Sequence, residues 1–143
     1  MLIVRITKKN TIKHIIYYFL LILLSTNATA DSLTINIFGI TLNQGDVRIG
    51  IFNRQEFPNG KQFKGAIIDG SKNKSSKTLE LTSGDYAIAV FQDTNYNKVL
   101  DKNFFGIPKE KYGFSGSDVF GEPTFDEAKI TVNGSQTILI RID

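Results

Sequence analysis

The sequence predicts an all-β domain over residues 31–143, a sandwich of about seven antiparallel strands with Greek-key connections. Three observations point there. Apolar residues alternate with polar ones over short stretches, as half-buried strands require. Clusters of Gly, Asn and Ser separate those stretches at the close spacing of β-sandwich sequences. After residue 30 no segment of ordinary helix length carries apolar residues at helical spacing.

Leu33, Ile35 and Ile37 alternate with Thr34 and Asn36, and Val47, Ile49 and Ile51 with Arg48 and Gly50. Asn43-Gln44-Gly45 lies between these two strands and is expected to close a hairpin. A third strand is expected around Ala66–Ile68, inside an otherwise polar stretch from Lys61 to Lys77. Gly70 to Ser76 reads as a mobile loop. Thr78–Leu81 and Tyr86–Phe91 follow as strands, and Lys129–Val132 and Thr137–Ile142 close the chain. Asn133-Gly134 between the last two is a strong hairpin signal, because both turn residues accept positive φ. Leu81-Thr82-Ser83-Gly84-Asp85-Tyr86 has the spacing of a tyrosine corner, whose hydroxyl bonds backbone a few residues upstream; an ordinary turn before a core Tyr fits equally. Gly106–Lys111, with Pro108 near its start, is expected to make one helical turn.

The first thirty residues read as an export leader. Arg5, Lys8, Lys9 and Lys13 precede an apolar run from Ile15 to Leu24, and Ala28-Thr29-Ala30 supplies a small-x-small cleavage pattern. The apolar run has 10 residues, against about 20 for a helix that spans a bilayer. Cleavage after Ala30 therefore leaves a product without a transmembrane anchor, in the periplasm or at the cell surface. The leader holds four basic and no acidic residues, so thirteen Lys and Arg face fourteen Asp and Glu in the remainder. That balance gives no basic patch for nucleic acid.

The chain has no Cys, and its one His, His14, lies in the leader. Ser-His and Cys-His nucleophiles, thiol redox chemistry, and zinc held by imidazole or thiolate are thereby excluded from residues 31–143. A metal there would need oxygen ligands, which favours calcium or magnesium.

Residues 93–126 form the unusual stretch. Loops beyond about 15 residues are uncommon in compact domains, and this one is rich in aromatics, unlike disordered segments. An ordered loop is expected, packed over the sandwich. Three sets of residues in it carry chemistry. Asp93, Asn95, Asn97 and Asp101 place side-chain oxygens at positions 1, 3, 5 and 9 of an EF-hand-like loop, with the Val99 carbonyl at position 7. Two departures weaken calcium: Lys98 where Gly makes the sharp turn, and Phe104 where a bidentate Glu belongs. The alternative is a run of Asx turns. The aromatics Phe104, Phe105, Tyr112, Phe114 and Phe120 either grip a ligand such as a sugar ring or peptide, or complete the core as a lid. Glu110, Asp118, Glu122, Asp126 and Glu127 would serve a carboxylate hydrolase, or are solvated acids.

The same residues resemble a known family. Asp93-x-Asn95-x-Asn97-x-x-Leu100-Asp101, Phe104-Phe105-Gly106-Ile107-Pro108-Lys109-Glu110, Tyr112-Gly113-Phe114-Ser115 and Phe120-Gly121-x-Pro123-x-Phe125 look like the signature of an exported bacterial family, domain of unknown function 2141. Gly84 to Val90 fits its lead-in strand, and Lys98 departs from the family's Gly. The resemblance implies an exported protein without an established catalytic site. More loosely, it is similar to prealbumin (transthyretin-like) and carbohydrate-binding sandwiches. The expectation is an exported, monomeric, non-catalytic module that binds a glycan or another envelope component or plays a structural part, stabilised by calcium if the 93–101 loop takes an ion. The alternative is a carboxylate-based hydrolase or carbohydrate-binding module acting through residues 93–126.

Overall fold

The computed structural model describes residues 31–116 and 121–143. The leader, Asp118 and Phe120 lie outside the described residues. Among the described residues there are eight strands: β1 (Asp31–Phe38), β2 (Asp46–Phe52), β3 (Lys64–Asp69), β4 (Lys74–Leu81), β5 (Gly84–Asp93), β6 (Tyr112–Phe114), β7 (Lys129–Val132) and β8 (Gln136–Arg141). One four-residue helix, α1 (Phe125–Ala128), precedes β7. None of the described helices is long and apolar enough to cross a membrane.

The strands form two sheets. The first has the order β4-β1-β8. The second has the order β3-β2-β5-β6, with β7 also paired to β5. Residues 84–87 of β5 pair with β7, and residues 89–91 pair with β6. All pairings are antiparallel except that of β1 with β8, which is parallel with Ile35 opposite Ile138. The expected seven antiparallel strands are thus eight strands in antiparallel-rich sheets.

The alternation in the sequence places the core. Leu33, Ile35 and Ile37 of β1 and Ile140 of β8 meet Val47, Ile49 and Ile51 of β2 and Ile88 and Val90 of β5 in one buried cluster. Each fully buried aliphatic of this size contributes about 1.5–3 kcal/mol of transfer free energy. Among the described residues the two sheets share this core. Tyr86 closes one end. Its hydroxyl donates to the Thr82 carbonyl at 3.0 Å, the corner bond that the 81–86 spacing suggests.

Both expected hairpins are absent. Asn43-Gln44-Gly45 and Asn133-Gly134 do reverse or redirect the chain, and Asn43, Gly45 and Gly134 have positive φ. Yet β1 and β2 lie in different sheets, as do β7 and β8. Each turn carries the chain across the sandwich instead of along one ladder. Turn chemistry specifies a local bend, and the choice of partner strand belongs to the core.

Part of Gly70–Ser76, expected to be a loop, is strand. Lys74, Ser75 and Ser76 belong to β4 and pair with Phe38, Ile37 and Asn36. β4 is an edge strand, and Lys74 and Lys77 guard it in the way charged residues protect sheet edges. The Lys74 ammonium also lies 5.0 Å from the centre of the Phe38 ring. The helical turn expected at Gly106–Lys111 is absent as well. Pro108 forms a bridge with Lys102, so this segment runs as the returning arm of a small hairpin.

A second, smaller apolar cluster covers the outer face of β5. Ala87, Phe125 and Ala128 are buried there, with Phe57 and Phe114 packed against them. Phe57 makes edge-on contacts with Phe52, Phe114 and Phe125 at centroid distances of 5.8, 5.7 and 6.2 Å. Thr124 caps α1 in a capping box with Glu127. Ser115 ties this layer to the sheet: its hydroxyl donates to the Ala128 carbonyl at 2.5 Å and accepts the Ile88 N–H at 2.8 Å. Ser115→Ala leaves that buried N–H and carbonyl unpaired. The expected loss is about 1–3 kcal/mol, measured by urea unfolding, with no change in secondary structure by circular dichroism.

Candidate functional site

The candidate site lies on the outer face of the second sheet. Inward residues of β2 and β5 fill the core, so Arg48, Gly50, Phe52, Ala89 and Phe91 point the other way. With Gly65 and Ile67 of β3 and Tyr112 and Phe114 of β6 they line a groove of about 1020 Å³. Residues 58–62 form one wall and residues 98–102 the other. Small residues at Gly50, Gly65 and Ala89 keep the floor low. Gln62 lies across Gly50 and Gly65, close enough that a side-chain carbon on either glycine would touch it. The lining thus combines four aromatic rings with the amides of Asn59 and Gln62 and the cations Arg48, Lys98 and Lys102. Concave sites that mix apolar rings with a few polar groups are the usual form of ligand sites.

The wall formed by residues 98–102 belongs to the loop from 94 to 111. Its anchor is Asp93, fully buried at the end of β5. The Asp93 carboxylate accepts Arg48 Nε at 2.5 Å, the Lys98 N–H at 2.9 Å and the Asn97 N–H at 3.0 Å. Burial alone pushes this carboxyl up. The Arg48 and Lys98 hydrogen bonds, the Arg48 charge and the Asn97 amide together hold it below the usual carboxylate range.

Two further Asx turns follow. Asn95 Oδ1 accepts the Asn97 N–H at 3.1 Å, and Asn97 Oδ1 accepts the Val99 N–H at 2.8 Å. Tyr96 and Lys98 adopt φ of 62° and 71° between them. The sharp bend is therefore made at Lys98 even though Gly is the residue that adopts it without cost.

Glu110 closes the loop from the far side. One carboxylate oxygen accepts the Thr94 N–H and hydroxyl at 2.8 and 3.0 Å, and the other accepts the Asp101 N–H at 3.1 Å. Asp101 in turn accepts the side-chain amides of Asn95 and Asn97 at 2.7–3.2 Å. Sequence reasoning placed Glu110 among possible catalytic acids; its place in the loop is that of a clasp.

The side-chain oxygens proposed for calcium, on Asp93, Asn95, Asn97 and Asp101, are thus close in sequence and engaged with N–H donors. Arg48 neutralises Asp93, and among the described residues no three acidic side chains gather around one point. Calcium takes about six to eight oxygens. With its donors so engaged, the set fits an Asx-turn stack better than an oxygen cage.

The loop aromatics divide into two groups. Tyr112 and Phe114 are half-buried groove lining, 5.8 Å apart in edge-on contact. Phe104 and Phe105 stand apart at the loop tip, 98% and 82% exposed. The other described acids of this stretch, Glu122, Asp126 and Glu127, have partners. Glu122 meets Lys102 at 3.5 Å, Asp126 makes a two-pronged pair with Arg54 at 2.6 and 2.7 Å, and Glu127 caps α1. Sequence reasoning missed Arg48 and Gln62, because neither belongs to a motif and both act through cross-strand neighbours.

Comparison with known proteins gives one match. No curated protein and no solved structure matches the chain. A family model described as an uncharacterized protein conserved in bacteria, DUF2141, matches residues 35–139, which takes in both sheets, the groove and the bracing loop. The chain belongs to the DUF2141 family of bacterial proteins.

Proposed function

We propose that this protein is an exported, non-catalytic binding module of the bacterial envelope, and that it seats an extended glycan or similar envelope component in the groove on the second sheet. The observation that carries this reading is the lining itself. Phe91, Tyr112 and Phe114 offer rings to stack on sugar rings, while Asn59, Gln62 and Lys98 offer hydrogen bonds along the walls. Export rests on the leader composition of residues 1–30. A prealbumin-like Greek-key arrangement of the two sheets is part of the same proposal, supported by their shared core and by the Tyr86 corner bond.

The hydrolase reading is the weaker one. A glycosidase needs two carboxyl groups free to face the scissile bond. Asp93, Glu110, Glu122, Asp126 and Glu127 each serve a structural partner instead.

The test is retention of residues 31–143 on insoluble envelope glycan. We expect binding without release of reducing ends, weakened about tenfold by Tyr112→Ala; that corresponds to about 1.4 kcal/mol, within reach of one lost stacking contact. Release of soluble sugar, or equal retention of the variant, would contradict the reading.

A further inference from the structure

The loop tip is a separate feature, independent of any ligand in the groove. It consists of Asn103-Phe104-Phe105-Gly106-Ile107-Pro108. Phe104 is 98% exposed, Phe105 82% and Ile107 59%. The two rings touch edge-on at 5.6 Å. Three large apolar side chains within four residues, held out from the core, is a costly display for a surface in water.

The backbone of the tip is largely paired within itself. Asn103 Oδ1 accepts the Phe105 and Ile107 N–H groups at 2.9 and 3.0 Å. The Gly106 N–H donates to the Asn103 carbonyl at 2.9 Å, and the Asn103 N–H to the Ile107 carbonyl at 2.8 Å. Pro108 has no N–H to satisfy. A segment that enters an apolar phase must pair its backbone donors internally, and this one pairs four of its five N–H groups, all but that of Phe104, across its turn.

Cations flank the apolar tip. The bridge between Lys102 and Pro108 and the Lys109 N–H bond to the Asp101 carbonyl set Lys102 and Lys109 at its base. Lys98 and Lys109 are exposed, whereas Asp101 and Glu110 are tied up within the loop. Positive side chains around an apolar point complement a surface of anionic headgroups over hydrocarbon.

We propose that the 103–108 tip docks this protein on an anionic lipid surface, with Phe104, Phe105 and Ile107 entering the headgroup layer and Lys98 and Lys109 meeting the lipid charges. The proposal does not rest on the groove: an empty groove leaves it standing, and a filled groove does not establish it.

The test is cosedimentation of residues 31–143 with vesicles of phosphatidylglycerol and phosphatidylethanolamine, beside vesicles of phosphatidylcholine alone. The wild-type chain is expected to sediment with the anionic vesicles at least tenfold better than the double variant Phe104→Ser/Phe105→Ser, and to bind phosphatidylcholine weakly. Both side chains lie outside the core, so the variant should keep the wild-type melting temperature. The chain has no Trp, so Phe105→Trp supplies a single indole whose emission should shift to the blue on the anionic vesicles. Equal sedimentation of the double variant, or no sedimentation of the wild type, overturns the proposal. So does a wild-type dimer in solution that the double variant makes monomeric, because the tip then serves a second copy of the chain.

Discussion

Asp93→Ala is expected to cost residues 31–143 about 3 kcal/mol of stability, near the lower end of what breaking a buried ion pair costs. The carboxylate is fully buried, whereas Arg48 keeps 17% of its side-chain surface exposed, so solvent recovers part of the stranded guanidinium. The Asn97 and Lys98 amides lose their acceptor in the same step. For a domain near this size the melting temperature should fall by roughly 12 °C. Asp93→Asn keeps an acceptor oxygen but loses the charge, and should cost about half as much. The pH dependence follows from the direction of the shift. Asp93 is held below its ordinary value, so its contribution is complete above the unfolded-state carboxylate range, about pH 4. It is lost as pH falls through the lower folded-state value. Melting curves of wild type and Asp93→Ala should therefore lie furthest apart at neutral pH and converge in acid. A constant gap down to pH 2 would mean that the carboxylate charge contributes nothing.

Gly45→Ala is expected to be of similar size. Gly45 has φ of +74°, and a Cβ there would lie 1.9 Å from the Asp93 carbonyl oxygen. The left-handed conformation alone costs an L-residue about 1–2 kcal/mol, and the neighbouring atom is backbone that cannot rotate away. Relief requires the 41–45 crossover to move off the end of β5. That movement would also break the Gln92 side-chain bonds to the Thr41 and Gln44 carbonyls at 2.6 and 2.7 Å. We expect a loss of about 3 kcal/mol or more by urea denaturation, with faster amide exchange at Thr41, Gln92 and Asn97. A variant as stable as wild type would show that the crossover is not pinned where it lies.

How far the sequence could be read depends on how local each signal is. The core strands were legible because Leu33-Ile35-Ile37 and Val47-Ile49-Ile51 carry the two-residue period in their own side chains. β4 was half hidden. Ser75 and Lys77 hold inward positions with polar residues, and its ladder to β1 supplies what their side chains do not. β6 was hidden altogether, being three residues long and defined by pairing to β5. The hairpins at Asn43–Gly45 and Asn133-Gly134 failed for a physical reason: a turn sets the direction of the chain over a few residues, while the sheet it joins is decided by distant apolar contacts. The packing of Phe114 and Phe125 against the outer face of β5 was foreshadowed by the aromatics of the 93–126 stretch. Its mechanism was visible only in part. The Asp-x-Asn-x-Asn spacing suits both an ion and an Asx stack, and the residues that brace the loop, Arg48 and Glu110, are remote in sequence from Asp93 and Asn95.

The groove asks for one direct measurement. Backbone amide spectra of residues 31–143 should be recorded during titration with soluble glycan fragments from the bacterial envelope. Shifts concentrated at Gly50, Gly65, Phe91, Lys98 and Tyr112, saturating with added glycan and accompanied by no cleavage, are the predicted result. Saturable shifts at β4 and β8 with the groove residues unchanged, no saturable shift at all, or cleavage of the fragments would contradict a binding module that works through the second sheet.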